Sequence, residues 1–121
     1  MISDVDLNDY KDAKFVQPKF DPSVGTKFDS GKPRMDLLDS NFLEGVANVL
    51  GFGASKYAAH NWRNGIDYSR LVASAYRHLA AFNRGEDVDP ESGLSHLHHL
   101  GCCVMFLSAT DKKFDDRYKG K

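Results

Sequence analysis

One segment decides most of what this chain can become. Between Leu94 and Leu107, apolar side chains fall on nearly every face of a helical register: Leu94, Leu97, Leu100, Cys103, Val104, Met105, Phe106 and Leu107. A helix that is apolar on several faces has to be enclosed. Its longest unbroken apolar stretch, 101–107, is far short of the ~20 residues that cross a bilayer, so the enclosure must be protein. The whole chain has 121 residues and offers only two other amphipathic segments as cover. A second copy of the chain is the simplest remaining cover. The expected fold is all-α: a small helical domain of three main helices with an irregular N-terminal arm, completed by oligomerisation.

Local signals place the other two helices. Ser40 is an N-cap candidate for a helix over 42–50, in which Phe42, Val46, Val49 and Leu50 form one stripe, and Gly51 and Gly53 mark a turn behind it. A second helix is expected over 69–83, capped by Asp67, buried through Leu71, Ala75, Leu79 and Phe82, and stopped by Gly85. Asp89-Pro90 reads as the cap and first position of the third helix, over 91–109. Residues 1–33 hold neither a helical nor a strand period and are broken by Pro18, Pro22, Gly25, Gly31 and Pro33. The chain divides on this basis into an irregular arm (1–24), a helical domain (25–109) and a charged tail (110–121).

Composition narrows the function classes. Hydrophobic residues make up 41 %, charged residues 27 %, and the formal net charge is -1. That is an ordinary globular balance, which excludes collagen, low-complexity linkers and disordered charged tails. It also lacks the chain-wide positive field of a nucleic-acid binder, so no direct nucleic-acid contact is expected. The start, Met1-Ile2-Ser3-Asp4, has acid where a secretory leader carries base. The two cysteines, Cys102 and Cys103, are neighbours that diverge by about 100° on a helix, a poor geometry for a mutual disulfide. Reduced thiols without a leader point to the cytoplasm.

Five segments carry candidate chemistry. His96, His99 and Cys103 share one helical face and His98 points elsewhere; His96 and His99 read either as cofactor or phosphate contacts or as neutral core histidines. Just upstream, Glu86, Asp87, Asp89 and Glu91 either complement the helix N-terminus or hold Mg²⁺ through its preferred oxygen ligands. His78 points inward with Leu71, Ala75 and Phe82, while Arg77 is offset to reach a phosphate or a surface acid. The run 52–63 combines small residues with Lys56, Tyr57, Asn61, Trp62 and Arg63: cations for phosphate, rings for stacking and an amide for a base edge. Trp62 equally suits a core anchor. A weaker patch over 25–34 sets Lys27, Lys32 and Arg34 around two glycines, either an anion-binding loop or an ordinary one. No pair of helices carries facing carboxylates: the first offers Glu44, the second none between Arg70 and Asn83, the third none after Glu91.

Five ordered blocks carry a resemblance. Lys27-Phe28-Asp29-x-Gly31-Lys32-Pro33-Arg34-x-Asp36-Leu37-Leu38 comes first, then Phe52-Gly53-Ala54-x-Lys56-Tyr57 with Asn61-Trp62-Arg63-x-Gly65. Ser69-Arg70-Leu71, Arg77-His78-Leu79, and Gly85-Glu86-Asp87-x-Asp89-Pro90-Glu91-Ser92-Gly93-Leu94-x-His96-Leu97-x-His99 complete it. Together they resemble the bacteriophage dATP/dGTP diphosphohydrolase N-terminal domain family over roughly 25–108. The resemblance implies a phage-encoded, all-α protein in the host cytoplasm that binds purine deoxynucleotides and, with Mg²⁺, releases pyrophosphate from a deoxynucleoside triphosphate. It implies Asp87, Asp89 and Glu91 as metal ligands or water-activating groups, and His78, His96 and His99 as acid–base or phosphate contacts. Lys27, Lys32, Arg34, Lys56, Arg63 and Arg77 would hold phosphate, and Tyr57, Asn61 and Trp62 the base or sugar. The alternative is a non-catalytic oligomeric sponge that sequesters a nucleotide-derived immune signal, an anti-defence protein.

Overall fold

The computed structural model describes residues 22–119, so most of the expected arm over 1–24 lies outside the described residues. The described residues fall into two units, divided after Leu37. In the first, the Lys32 N–H closes a turn on the Asp29 carbonyl at 3.0 Å, and a single 3-10 turn covers Met35–Leu37. Arg34 clasps Asp36 through two hydrogen bonds of 2.8 and 2.7 Å. Lys27 and Lys32 are exposed in this unit.

The second unit is built from α1 (Ser40–Lys56), α2 (Tyr68–Asn83) and α3 (His96–Ala109), with short 3-10 turns at Asn61–Asn64 and Lys112–Phe114. The fold is all-α, as the periodicity requires; among the described residues only an isolated bridge, Val88 to Ser95, has β geometry. None of these helices is long and apolar enough to cross a membrane.

The helix ends differ from expectation for identifiable reasons. Asp39, one residue before Ser40, caps α1 by accepting from the Phe42 N–H at 2.8 Å. The helix then runs through Gly51 and Gly53, neither of which takes a positive φ. α3 starts at His96 and not at 91. Asp89 turns its carboxylate onto the Glu91 N–H at 2.7 Å, Gly93 adopts φ 73°, and Ser95 takes the cap by accepting from the Leu97 N–H at 3.1 Å. A left-handed residue inside 91–95 ends any helix attempted there. The loop is closed by Asp89 N–H on the Leu94 carbonyl (2.8 Å) and His96 N–H on the Asp87 carbonyl (2.9 Å).

The described part of the C-terminal tail folds back onto the start of α2. Asp67 makes no side-chain cap there, and Asp116 supplies one from 47 positions away. The Tyr68 hydroxyl donates to the Thr110 carbonyl at 2.7 Å, and the Phe114 ring lies against Gly65.

α3 packs against both α2 and α1. The core is thin: Val49, Tyr68, Leu71, Ala81, Cys102 and Cys103 are buried, and no large side chain among the described residues is fully enclosed. α1 meets α3 closely because Gly45 leaves room for the His98 ring and Gly101 for Phe42. Leu79 and Phe82, expected inside, are exposed, as are Tyr76, Leu97 and Val104.

Candidate functional site

The end of α2, the closed loop and the first turn of α3 bring three histidines and one aspartate together. His78 comes from α2, Asp89 from the loop, and His96 and His99 from α3. The Nδ1 atoms of His78 and His96 face each other at 2.9 Å. The His78 and His99 rings stack at 4.6 Å between centroids, within 8° of parallel. One carboxylate oxygen of Asp89 stands 3.9 Å from His78 Nδ1 and 3.9 Å from His99 Nε2. His78, Asp89 and His96 each offer one donor atom within 4.8 Å of the others, the only such group of three or more among the described residues.

Each ring is held from its other side. His96 Nε2 is 2.8 Å from a Glu86 oxygen. A carboxylate only accepts, so this nitrogen carries the proton, and in the neutral ring Nδ1 carries the lone pair. His99 Nε2 lies 2.7 Å from the Ser92 hydroxyl. Burial lowers the pKa of both His78 and His99, which outweighs the opposing pull of Asp89. Burial pushes the Asp89 carboxyl up, but backbone N–H groups of Glu91 and Ser92 and the neighbouring histidines outweigh it, leaving the pKa low. Near neutrality the cluster therefore sets the neutral imidazoles of His78 and His99 beside an ionised carboxylate. Deeper in, burial raises the Cys102 thiol to about 12, so it stays protonated and inert.

His78, Asp89 and His99 line a cavity of about 1000 Å³ that reaches to the segment following α1. There Trp62 stacks on Phe106 at 4.7 Å, and Arg63 lies over the Trp62 ring at 4.4 Å. Arg63 Nε donates to His60 Nδ1 at 3.0 Å. His60 holds a left-handed conformation, φ 61°, alone among the described non-glycine residues. Such an outlier is maintained by its surroundings, and here it turns the chain into the 3-10 turn that carries Trp62 and Arg63. Lys56 Nζ reaches Glu91 at 2.5 Å across the cavity rim, both groups largely exposed.

The cavity thus gathers Lys56, Tyr57, Asn61, Trp62 and Arg63 with His78, Asp89, Glu91 and His99. His96 stands behind His78, buried. Arg77 is exposed and does not line the cavity. Lys27, Lys32 and Arg34 belong to the first unit, described above. Asp87, Asp89 and Glu91 do not form a three-ligand group: Asp87 contributes its backbone carbonyl to His96, and Glu91 is engaged by Lys56. Mg²⁺ prefers an octahedron of oxygens. The group that does form offers two imidazole nitrogens and one carboxylate, a poor match to Mg²⁺.

Sequence reasoning missed Arg70, Ser92 and Phe106. Arg70 and Phe106 line the cavity and Ser92 holds His99. Phe106 was hidden inside the apolar run, and a serine hydroxyl in a loop carries no spacing signal of its own.

The family model described as dATP/dGTP diphosphohydrolase, N-terminal, matches residues 22–117. A protein named dATP/dGTP diphosphohydrolase from Salmonella phage PMBT28 is 40 % identical over 84 residues, which is 69 % of this chain. The aligned part is 29 % of that relative's own length. No solved structure matches.

Proposed function

The chain belongs to the dATP/dGTP diphosphohydrolase N-terminal family, and from that premise we propose that it binds a purine deoxynucleoside triphosphate in this cavity and hydrolyses it to the monophosphate and pyrophosphate. The observation that carries the reading is the shared cavity. One end offers a stacked aromatic pair flanked by cations, and the other offers neutral imidazoles beside an ionised aspartate. A nucleotide needs both ends, a π face for its base and a polar, proton-accepting site at its phosphates.

In this reading Trp62 and Tyr57 hold the base or sugar and Asn61 reads a base edge. Arg63 and Arg70 supply phosphate contacts, and Lys56 exchanges Glu91 for a phosphate oxygen. Glu91 is thereby released toward the reacting water. The nucleotide arrives as its Mg²⁺ complex, the ion travelling as part of the substrate. Water attacks the α-phosphorus and passes its proton to His99, whose Ser92 contact fixes the ring. The bond to the bridging oxygen breaks, and pyrophosphate leaves with the electron pair. His99 fits the base role because burial keeps it neutral near pH 7.

The test is incubation with dATP or dGTP and MgCl₂, with chromatography of the nucleotides. Monophosphate and pyrophosphate in equal amounts, lost in His99→Gln, support the reading. Nucleotide that binds stoichiometrically and is recovered intact overturns hydrolysis and favours the sponge alternative.

A further inference from the structure

We propose that His78, Asp89 and His96 form a resident binding site for a borderline divalent metal of the zinc class, distinct from any Mg²⁺ that accompanies a nucleotide. The two Nδ1 atoms face each other at 2.9 Å, and the Asp89 oxygen is 3.9 Å from the nearer one. Tetrahedral zinc with Zn–N bonds of about 2.0–2.1 Å spaces its donors about 3.3 Å apart. The observed separations bracket that spacing.

The surroundings fit a metal better than they fit a shared proton. A proton between two imidazoles needs only those two nitrogens. Here a third donor with negative charge is brought to the same point by a loop dedicated to it: Asp89 is fixed by the Glu91 N–H and by the closure of its own backbone on Leu94. Glu86 takes the far nitrogen of His96, the carboxylate–histidine arrangement that orients a metal-binding ring and raises its basicity. Three ligands leave one tetrahedral position free, and His78 and Asp89 both border the cavity. The remaining position therefore belongs on the side from which a water or a phosphate oxygen would come. The donor chemistry sets the class: imidazole suits zinc, nickel, copper and iron, while Mg²⁺ asks for oxygen throughout. The same ion would tie α2, the loop and α3 together at a point where the core is thin.

The full chain is stripped with chelator, incubated with ZnCl₂ alone and dialysed, and its zinc is measured by mass spectrometry, with no nucleotide present. One zinc per chain is expected, retained against a large excess of MgCl₂. His78→Gln and Asp89→Asn, each checked for unchanged helicity by circular dichroism, should lose it. Glu86→Gln should weaken it about 10- to 100-fold, and His60→Asn should leave it intact. Titration of the unmodified chain with Co²⁺ should give the intense visible bands of a low-symmetry nitrogen-bound ion, and zinc should abolish them. The proposal is overturned if zinc is not retained, if Mg²⁺ displaces it, if His78→Gln and Asp89→Asn hold it as well as the native chain, or if Co²⁺ stays spectroscopically aqueous. Metal retention and nucleotide turnover are separate readouts, so either reading fails without the other.

Discussion

The carboxylate of Asp116 accepts from both the backbone N–H and the hydroxyl of Ser69, at 2.8 and 2.6 Å. It caps α2 from the far end of the chain, where the adjacent Asp67 makes no such bond. Helix N-termini need an acceptor for their first N–H groups, and the identity of the donor chain position does not matter. Asp116→Ala should therefore lower the urea midpoint more than Asp67→Ala does. The reverse order would mean that the tail contact contributes nothing to stability.

Gly45 faces the imidazole of His98 with no space for another carbon. Alanine is normally favoured over glycine inside a helix by about 1 kcal/mol. Here overpacking should reverse that sign, so Gly45→Ala should destabilise the chain by about 1–3 kcal/mol in equilibrium unfolding. A stabilised variant would show that α1 and α3 are not held this close.

His78 and His99 both have a pKa below the ordinary 6.5 in the folded chain, with burial as the main cause. Between the folded values and 6.5 the unfolded chain binds more protons. Stability is then fully present above that window and is lost as pH falls through it. Urea midpoints measured from about pH 7.5 down to about pH 5 should decline, and His99→Gln should flatten the decline. A flat profile in the native chain would contradict the burial of these rings.

Much of the fold was legible because it follows from local rules. The stripe through Val46 and Val49 and the inward Leu71 needed only the helical period, and the apolar run of α3 announced a central helix. The start of α3 was not legible. Asp89-Pro90 has the form of a helix start, and Ser95 has it too; the left-handed Gly93 between them decides, and its φ is set by the closing of the loop. The acids of 86–91 were visible as a group, but their partners were not. Asp89 meets His78 and His99, and Glu91 meets Lys56, 35 positions away, only because the helices fold together. Trp62 on Phe106 is a tertiary contact of the same kind.

Trp62 is the only tryptophan, and at the cavity wall its ring stacks on Phe106 and lies under the Arg63 guanidinium, which a base would displace toward the phosphates. Base stacking on such a ring contributes about 1–3 kcal/mol. Trp62→Ala should weaken dATP binding about 10- to 100-fold by calorimetry, while Lys112→Ala, remote from the cavity, should not. In the native chain, dATP should quench the tryptophan emission with the same affinity. Equal affinity in Trp62→Ala would place the base elsewhere.

Leu97, Leu100, Val104 and Leu107 recur along α3 at alternating three- and four-residue spacing. Leu97 and Val104 are 38 % and 56 % exposed, although the opposite side of the same helix carries the buried Cys102. α1 and α2 cover part of a helix that is apolar nearly all round, half-burying Leu100 and Leu107 and leaving Leu97 and Val104 open. Water contact along it is unfavourable by about 25 cal/mol per Å², so a partner surface that removes it stabilises the chain. The proposal that a second copy is this partner gives a direct expectation. The native chain should sediment as a dimer or larger at micromolar concentration. Val104→Lys places a charge at the centre of the stripe, where it remains harmless in an isolated chain and is penalised only when the stripe is covered. That variant should sediment as a monomer with unchanged helicity. A native chain that is monomeric throughout would refute self-association and leave the stripe to a different partner.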